Sequence, residues 1–268
     1  MPTLETDEAT LHYEMAGEGE PLLFLHGLGS SSADWRYQIE HFARTHRCIA
    51  LDARGSGASR DKRFPAGPFT VRDFARDAAT LLDRLDLAPA HVVGLSMGGM
   101  IAFQLAVDQP RVVRTLTIVN SGPALVPRSL KDHVALTSRL FMARFLGPAR
   151  MGRILAPKLF PGPGHASLRA EFEQRMAAND PRAYLATTRA IIGWSVSDRI
   201  GEIDVPTLVV SADGDYTPVE IKREYARRMR RAEVVVVPDS RHALPVEAPE
   251  KFNPVLERFL AAHAEIAE

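Results

Sequence analysis

The sequence is poor in cysteine, and that alone removes several functional classes. Cys48 is the single thiol in 268 residues, so neither an intramolecular disulfide nor a cysteine-based metal cluster is available. Its place inside Cys48-Ile49-Ala50-Leu51 predicts a buried, unreactive thiol. Net charge is lacking too. The 33 basic side chains balance 33 acidic ones, so no overall field favours nucleic acid or an anionic membrane as a partner. No apolar run is long enough to span a bilayer. The stretch Met1-Pro2-Thr3-Leu4-Glu5-Thr6-Asp7-Glu8 has neither the basic region nor the apolar core of a secretion signal, which makes the cytoplasm the expected location. Internal repeats and low-complexity tracts are missing as well.

What remains is the composition of an ordinary globular protein, 46% hydrophobic, with length for one large α/β domain or a core carrying an insertion. Residues 10–16 alternate weakly after a polar turn and read as part of an N-terminal hairpin. Leu22-Leu23-Phe24-Leu25 is wholly apolar, as a strand buried on both faces requires. A helix over about 33–45, with Trp35, Ile39 and Phe42 at helical spacing, leads to a strand at 48–51. Thr70 is placed to cap a helix that carries Phe74, Ala78, Leu81, Leu82 and Leu85 along one side. Strands follow at 90–93 and 112–120. From Pro123 to Ser197 only helical patterns appear, broken by Pro127, Gly147-Pro148, Pro157, Pro161-Gly162-Pro163-Gly164 and Pro181. Alternation then resumes, with strands at 207–211 and 233–237 and helices at 218–229 and 249–263. Short buried strands alternating with helices predict a mainly parallel sheet covered on both faces. The expected organisation is an α/β core over 1–122 and 206–268 with an all-helical cap inserted at 123–205.

One stretch organises the rest. Strand 90–93 runs into Gly94-Leu95-Ser96-Met97-Gly98-Gly99, and a helical run follows at once. Strand, sharp turn and helix put Ser96 at the apex. A Cβ at Gly94 or Gly98 is expected to clash in so close a turn. A serine hydroxyl is a weak nucleophile near neutral pH and needs an imidazole base, itself fixed by a carboxylate. In open α/β sheets such groups gather beyond the carboxyl ends of strands. Those ends offer His26-Gly27-Leu28, Asp52, Ser96, Asp213 with Asp215, and His242.

The order Ser, Asp, His, each after a strand, resembles the α/β-hydrolase family. The matching pieces are His26-Gly27, Asp52-Ala53-Arg54-Gly55-Ser56-Gly57-Ala58-Ser59, the Ser96 turn, the Asp loop before Pro218, and His242 followed by Glu247 and Pro249. The resemblance implies Ser96 as nucleophile and His242 as general base and then acid. It also implies the backbone N–H groups of Leu28 and Met97 as an oxyanion hole. His26, Asp52, Arg54 and Glu247 read as structural, bracing their own loops. For the acid, Asp213 and Asp215 both follow strand 207–211. Thr217-Pro218-Val219-Glu220 has the form of a capping box, which sets Asp215 just before a helix and free to lean toward His242. The family loop also places its acid a few residues beyond the strand. The interval from Asp215 to Pro218 is one residue shorter than the commoner form, which keeps Asp213 open; its other role is that of a turn residue.

The expected reaction is hydrolysis of a small carboxylic ester through an acyl-enzyme, without cofactor or metal. Lactone opening, enol-lactones included, is second, and C–C hydrolysis of a vinylogous diketone third. A ligand-binding receptor on a hydrolase scaffold is the reading from another class. The partner is then a small ester or lactone. Phe141, Phe145, Phe160 and Trp194 are candidate pocket walls. Residues 123–160 hold Arg128, Lys131, Arg139, Arg144, Arg150, Arg153 and Lys158 against Asp132 alone, which reads as a solvated helix face.

Overall fold

The computed structural model describes residues 2–63 and 68–264. Strands β1 (Thr3–Glu5) and β2 (Ala9–Ala16) form the expected antiparallel hairpin, followed by β3 (Glu20–Leu25). Next come α1 (Arg36–Phe42), β4 (His46–Leu51), β5 (Arg60–Asp61), α2 (Val71–Arg84), β6 (Ala90–Leu95), α3 (Met97–Asp108) and β7 (Val113–Val119). Four helices follow without a strand: α4 (Leu130–Phe145), α5 (Gly147–Leu159), α6 (Ala166–Ala178) and α7 (Pro181–Ile191). The chain ends with β8 (Thr207–Ala212), α8 (Val219–Ala226), β9 (Ala232–Val237), α9 (Leu244–Glu247) and α10 (Pro249–Ala261).

The strands form one mixed, mainly parallel sheet in the order β1-β2-β4-β3-β6-β7-β8-β9, with β5 on β2. From β3 the chain moves to β4 on one side and then returns to β6 on the other. The connections that leave β3 and β6 therefore diverge, and a crevice opens between their carboxyl ends. The His26 loop and Ser96 both lie there.

Period-two alternation assigns the two faces. Leu22 and Phe24 point to a core built with Trp35, Phe42, Phe252, Leu256 and Phe259, from α1, α10 and the turn before α1. Leu23 and Leu25 point the other way, to a core of α2, α3 and α8 residues including Phe74, Leu81, Phe103 and Tyr225. Each such buried aliphatic or aromatic side chain contributes about 1.5–3 kcal/mol relative to exposure. Cys48 is buried, and burial pushes its thiol up to about 12, as its sequence context predicted. Among the described residues no helix is long and apolar enough to cross a membrane.

Local chemistry sets the element ends. Thr70 Oγ1 accepts from Asp73 N and the Asp73 carboxylate accepts from Thr70 N, a complete capping box for α2. The expected helix at 33–45 begins instead as a single 3-10 turn, Ser32–Trp35, because Ser32 N is drawn to Asp52 Oδ1 at 2.6 Å. The inserted helices α4–α7 have a core of their own around Met151, Phe160, Phe172, Met176 and Tyr184. Ala243 and Val246, beside His242, join that core and so tie the His242 loop to the insertion.

Candidate active site

Ser96 sits between β6 and α3 with φ 55° and ψ −113°, a conformation L-residues avoid. The glycines permit it. A Cβ on Gly94 would run into the Gly98 carbonyl, and one on Gly98 into the Leu25 carbonyl of β3. Ser96 N donates to Val119 O at 3.0 Å, and Ser121 Oγ donates to Ser96 O at 2.6 Å, so β7 holds the turn from below. The Ser96 hydroxyl makes no hydrogen bond to a described residue and faces a cavity of about 440 Å³.

That cavity is also lined by Leu28, Met97, Tyr216 and His242. The N–H of Met97 opens α3 and has no carbonyl four residues back to bond, as at any helix start. Neither it nor the N–H of Leu28 has a partner among the described residues. The structure thus brings Ser96, His242, Leu28 and Met97 around one space. No hydrogen bond joins Ser96 to His242 in this arrangement.

His242 Nδ1 lies 2.6 Å from Asp215 Oδ1. An ionised carboxylate only accepts, so this bond puts the proton on Nδ1 and leaves the lone pair on Nε2. Asp213 goes elsewhere. It accepts from Asp239 N at 3.0 Å and Ser240 N at 3.1 Å, and these bonds hold its carboxyl below the usual range. It fastens the loop before His242, with smaller contributions from the N–H groups of its own turn at Gly214 and Asp213. The expected capping box at Thr217 does not form: Pro218 is the N-cap and helix α8 starts at Val219. Thr217 is pulled into the Asp215 loop, with its N–H on Asp215 Oδ2 at 3.3 Å and its carbonyl accepting from Lys222 Nζ at 2.8 Å.

Lys222 is a residue that the sequence reading passed over. Its side chain is fully buried, as is that of Asp215, and Nζ meets Asp215 Oδ2 at 2.5 Å. An ammonium removed from water costs several kcal/mol unless paired, so this geometry is enforced. Burial alone would raise the Asp215 pKa. The hydrogen bonds and charges of His242 and Lys222 outweigh it and hold the carboxyl below its usual range. Two further residues complete the frame. Asn120 Nδ2 donates to the carbonyls of Arg241 and His242, both at 3.0 Å, while its Oδ1 accepts from Ala212 N at 2.8 Å. One amide therefore couples the ends of β7 and β8 to the His242 loop. The Tyr216 ring stacks on the His242 imidazole, with centroids 3.9 Å apart.

The other polar groups of the matched motifs brace loops, as expected. His26 Nδ1 lies 2.7 Å from Gly27 O, and its Nε2 accepts from Ala53 N at 3.0 Å. Asp52 accepts from Ser32 N and Ala58 N. Arg54 is buried on Asp77, at 2.5 and 2.7 Å, and on Asp61 at 2.9 Å, so it is closed to any ligand. Glu247 accepts from Arg241 N at 2.9 Å. A group of possible metal ligands, Glu20, His46 and His91, lies at the amino ends of β3, β4 and β6, opposite the Ser96 cavity.

None of the four candidate wall residues lines that cavity. Phe141 and Phe145 are 61% and 62% exposed on the outer side of α4, with their rings tilted against each other at 41° and centroids 4.5 Å apart. Phe160 is 1% exposed inside the core of the insertion, against Phe172. Trp194 packs on the main core and donates Nε1–H to Gln104 Oε1 at 2.7 Å. The wall is built instead by small and aliphatic residues of the 121–126 loop and by Ala135, Leu136 and Arg139 of α4.

Comparison with known proteins adds four findings. The sequence pattern of a family described as alpha/beta hydrolase fold matches residues 20–249. RutD of Azorhizobium caulinodans, named for carbamate hydrolysis, is 33% identical over 266 residues, 97% of this chain and 98% of its own. An esterase from Thermogutta terrifontis superposes with a TM-score of 0.86 at 26% identity, over 98% of this chain and 97% of its own. The enol-lactonase from Burkholderia xenovorans LB400 reaches 0.88 at 24% identity, over 97% and 100%, a likeness of fold alone.

Proposed function

The chain belongs to the α/β-hydrolase fold family and is a hydrolase, and from that premise we propose that it cleaves a small carboxylic ester through an acyl-enzyme on Ser96. The observation that carries the reading is the meeting of four groups on one cavity. They are a strained, otherwise unbonded serine hydroxyl, an imidazole fixed by Asp215, and the unpaired N–H groups of Leu28 and Met97.

In this reading His242 Nε2 takes the Ser96 proton as Oγ attacks the carbonyl carbon. Charge develops on the carbonyl oxygen and is met by the Leu28 and Met97 N–H groups, a contribution of about 3–4 kcal/mol per donor in related sites. The imidazolium, stabilised by Asp215, then protonates the departing alcohol. Water enters by the same base and frees the acid. The Ser96–His242 hydrogen bond, open in this arrangement, forms when substrate excludes water. Helices α4–α7 serve as a cap over residues 123–205, and the core comprises 1–122 and 206–268. Its place is the cytoplasm.

Likeness to RutD favours one second reading, a carbamate as substrate, since attack on that carbonyl needs the same parts. Product partitioning tests both. With added methanol, p-nitrophenyl and phenyl acetates should give one constant ratio of acetate to methyl acetate, because both pass through the same acetyl-Ser96. A ratio that follows the leaving group, or no turnover of either ester, would reject the ester reading. Faster turnover of the matched carbamate would select the second.

Lys222 supplies a pH test. A cation this close to a carboxylate lowers its pKa by roughly 1–3 units. Lys222→Met should therefore move the acid limb of kcat/KM, which reports the coupled Asp215–His242 pair, to higher pH by about one unit. A lowered Tm with an unmoved acid limb would reduce Lys222 to packing.

A further inference from the structure

Arg139 differs from most of the half-buried arginines, and unlike Arg47 at the start of β4 it lines the Ser96 cavity. Arg36, Arg114 and Arg175 each meet a carboxylate, Glu171, Glu20 and Asp34 respectively. Arg139 is half-buried on α4, lines the Ser96 cavity, and forms no ion pair or hydrogen bond with a described residue. Two acids share that lining, and neither serves it. Asp132 is held in the α4 cap by the N–H groups of Arg128 and Ser129, both at 3.0 Å, and Glu224 is exposed at the rim. The guanidinium charge acts on the hydroxyls of both Tyr184 and Tyr216, and Tyr216 lies on the His242 ring. Arg139 thus lines the same cavity as Ser96, Tyr216 and His242.

A half-desolvated guanidinium keeps its charge and five donors, and it satisfies them best with a planar two-oxygen anion. The rest of the lining gives that anion a matched remainder: the 121–126 loop, Leu136 and Ile191 offer apolar contact in the same cavity, and its other two arginines, Arg128 and Arg228, are exposed. The geometry points to Arg139 as the binding group for a carboxylate that the substrate carries away from its scissile carbonyl. The preferred substrates are then monoanions, such as a half-ester of a short dicarboxylic acid. This rests on the acyl-transfer reading of the Ser96 site. It also revises the solvated-face reading of the basic run 123–160 at this one position.

Binding without turnover is the test, in Ser96→Ala protein with calorimetry. Monomethyl glutarate, with its anion on the acyl side, is compared with neutral methyl pentanoate. Acetoxyacetate, with its anion on the alcohol side, is compared with propyl acetate. One of the two anions should bind at least tenfold tighter than its neutral mate, the difference shrinking with added salt. Arg139→Met, which keeps helix propensity and bulk, should cut that ratio by about tenfold or more. Arg139→Lys should restore part of it. Equal binding of anion and neutral in both pairs, or a preference that survives Arg139→Met, overturns the assignment. Failure of the acyl-transfer reading shows separately, as absent wild-type turnover of neutral esters.

Discussion

Ser96→Ala is expected to remove about a million-fold of the turnover of a neutral p-nitrophenyl ester while leaving the protein folded. Nucleophile deletions in serine triads have costs of that order, with a residue of rate left to the oxyanion donors and binding. Stability should hardly change. The hydroxyl bonds to no described residue, and the turn is held by the Ser96 backbone through Val119 and Ser121. Alanine inherits the strained φ of 55° that serine already tolerates. Steady-state kinetics and a thermal melt check both halves together. Near wild-type kcat with an unchanged melt would remove Ser96 from the reaction.

Asp215→Asn should cost about ten-thousand-fold, the loss seen when an asparagine turns the imidazole to its wrong tautomer in a serine protease. Here a second effect is added. Lys222 would lose its counter-charge while still buried, and breaking such a pair destabilises by about 3–5 kcal/mol. The double variant Asp215→Asn/Lys222→Met separates the two effects, since it relieves the stranded ammonium and restores stability without restoring rate. Asp213→Asn, by contrast, only loosens the tether to Asp239 and Ser240 and should keep turnover within about tenfold of wild type. Collapse in Asp213→Asn with activity in Asp215→Asn would reverse the assignment.

Local signals carried much of this site. The Ser96 turn was legible because its glycines answer to sterics within a few residues, and the cap of α2 because Thr70 and Asp73 satisfy each other. Groups whose roles depend on distant chain segments were harder. Lys222 sits in the basic run 222–231, where cations near a helix end complement its dipole, so charge alone does not mark it out. Its spacing held a usable clue: Lys222, Tyr225 and Ala226 share one buried face of α8, where a lysine must have a buried partner. Asn120 looked like the end of a strand, and nothing nearby announces that its amide bridges to residues 212, 241 and 242. The wall aromatics failed for a general reason. Composition says that an aromatic is buried or exposed somewhere, but only the packing of α4–α7 decides which side faces the cavity.

The central claim is that Ser96 becomes acylated, and covalent trapping tests it most directly. A fluorophosphonate should add once per chain, and peptide mass spectrometry should place the adduct on Ser96. The label should be absent from Ser96→Ala and slow to form in Asp215→Asn. An adduct on another residue, or none in protein that still hydrolyses esters, would contradict it.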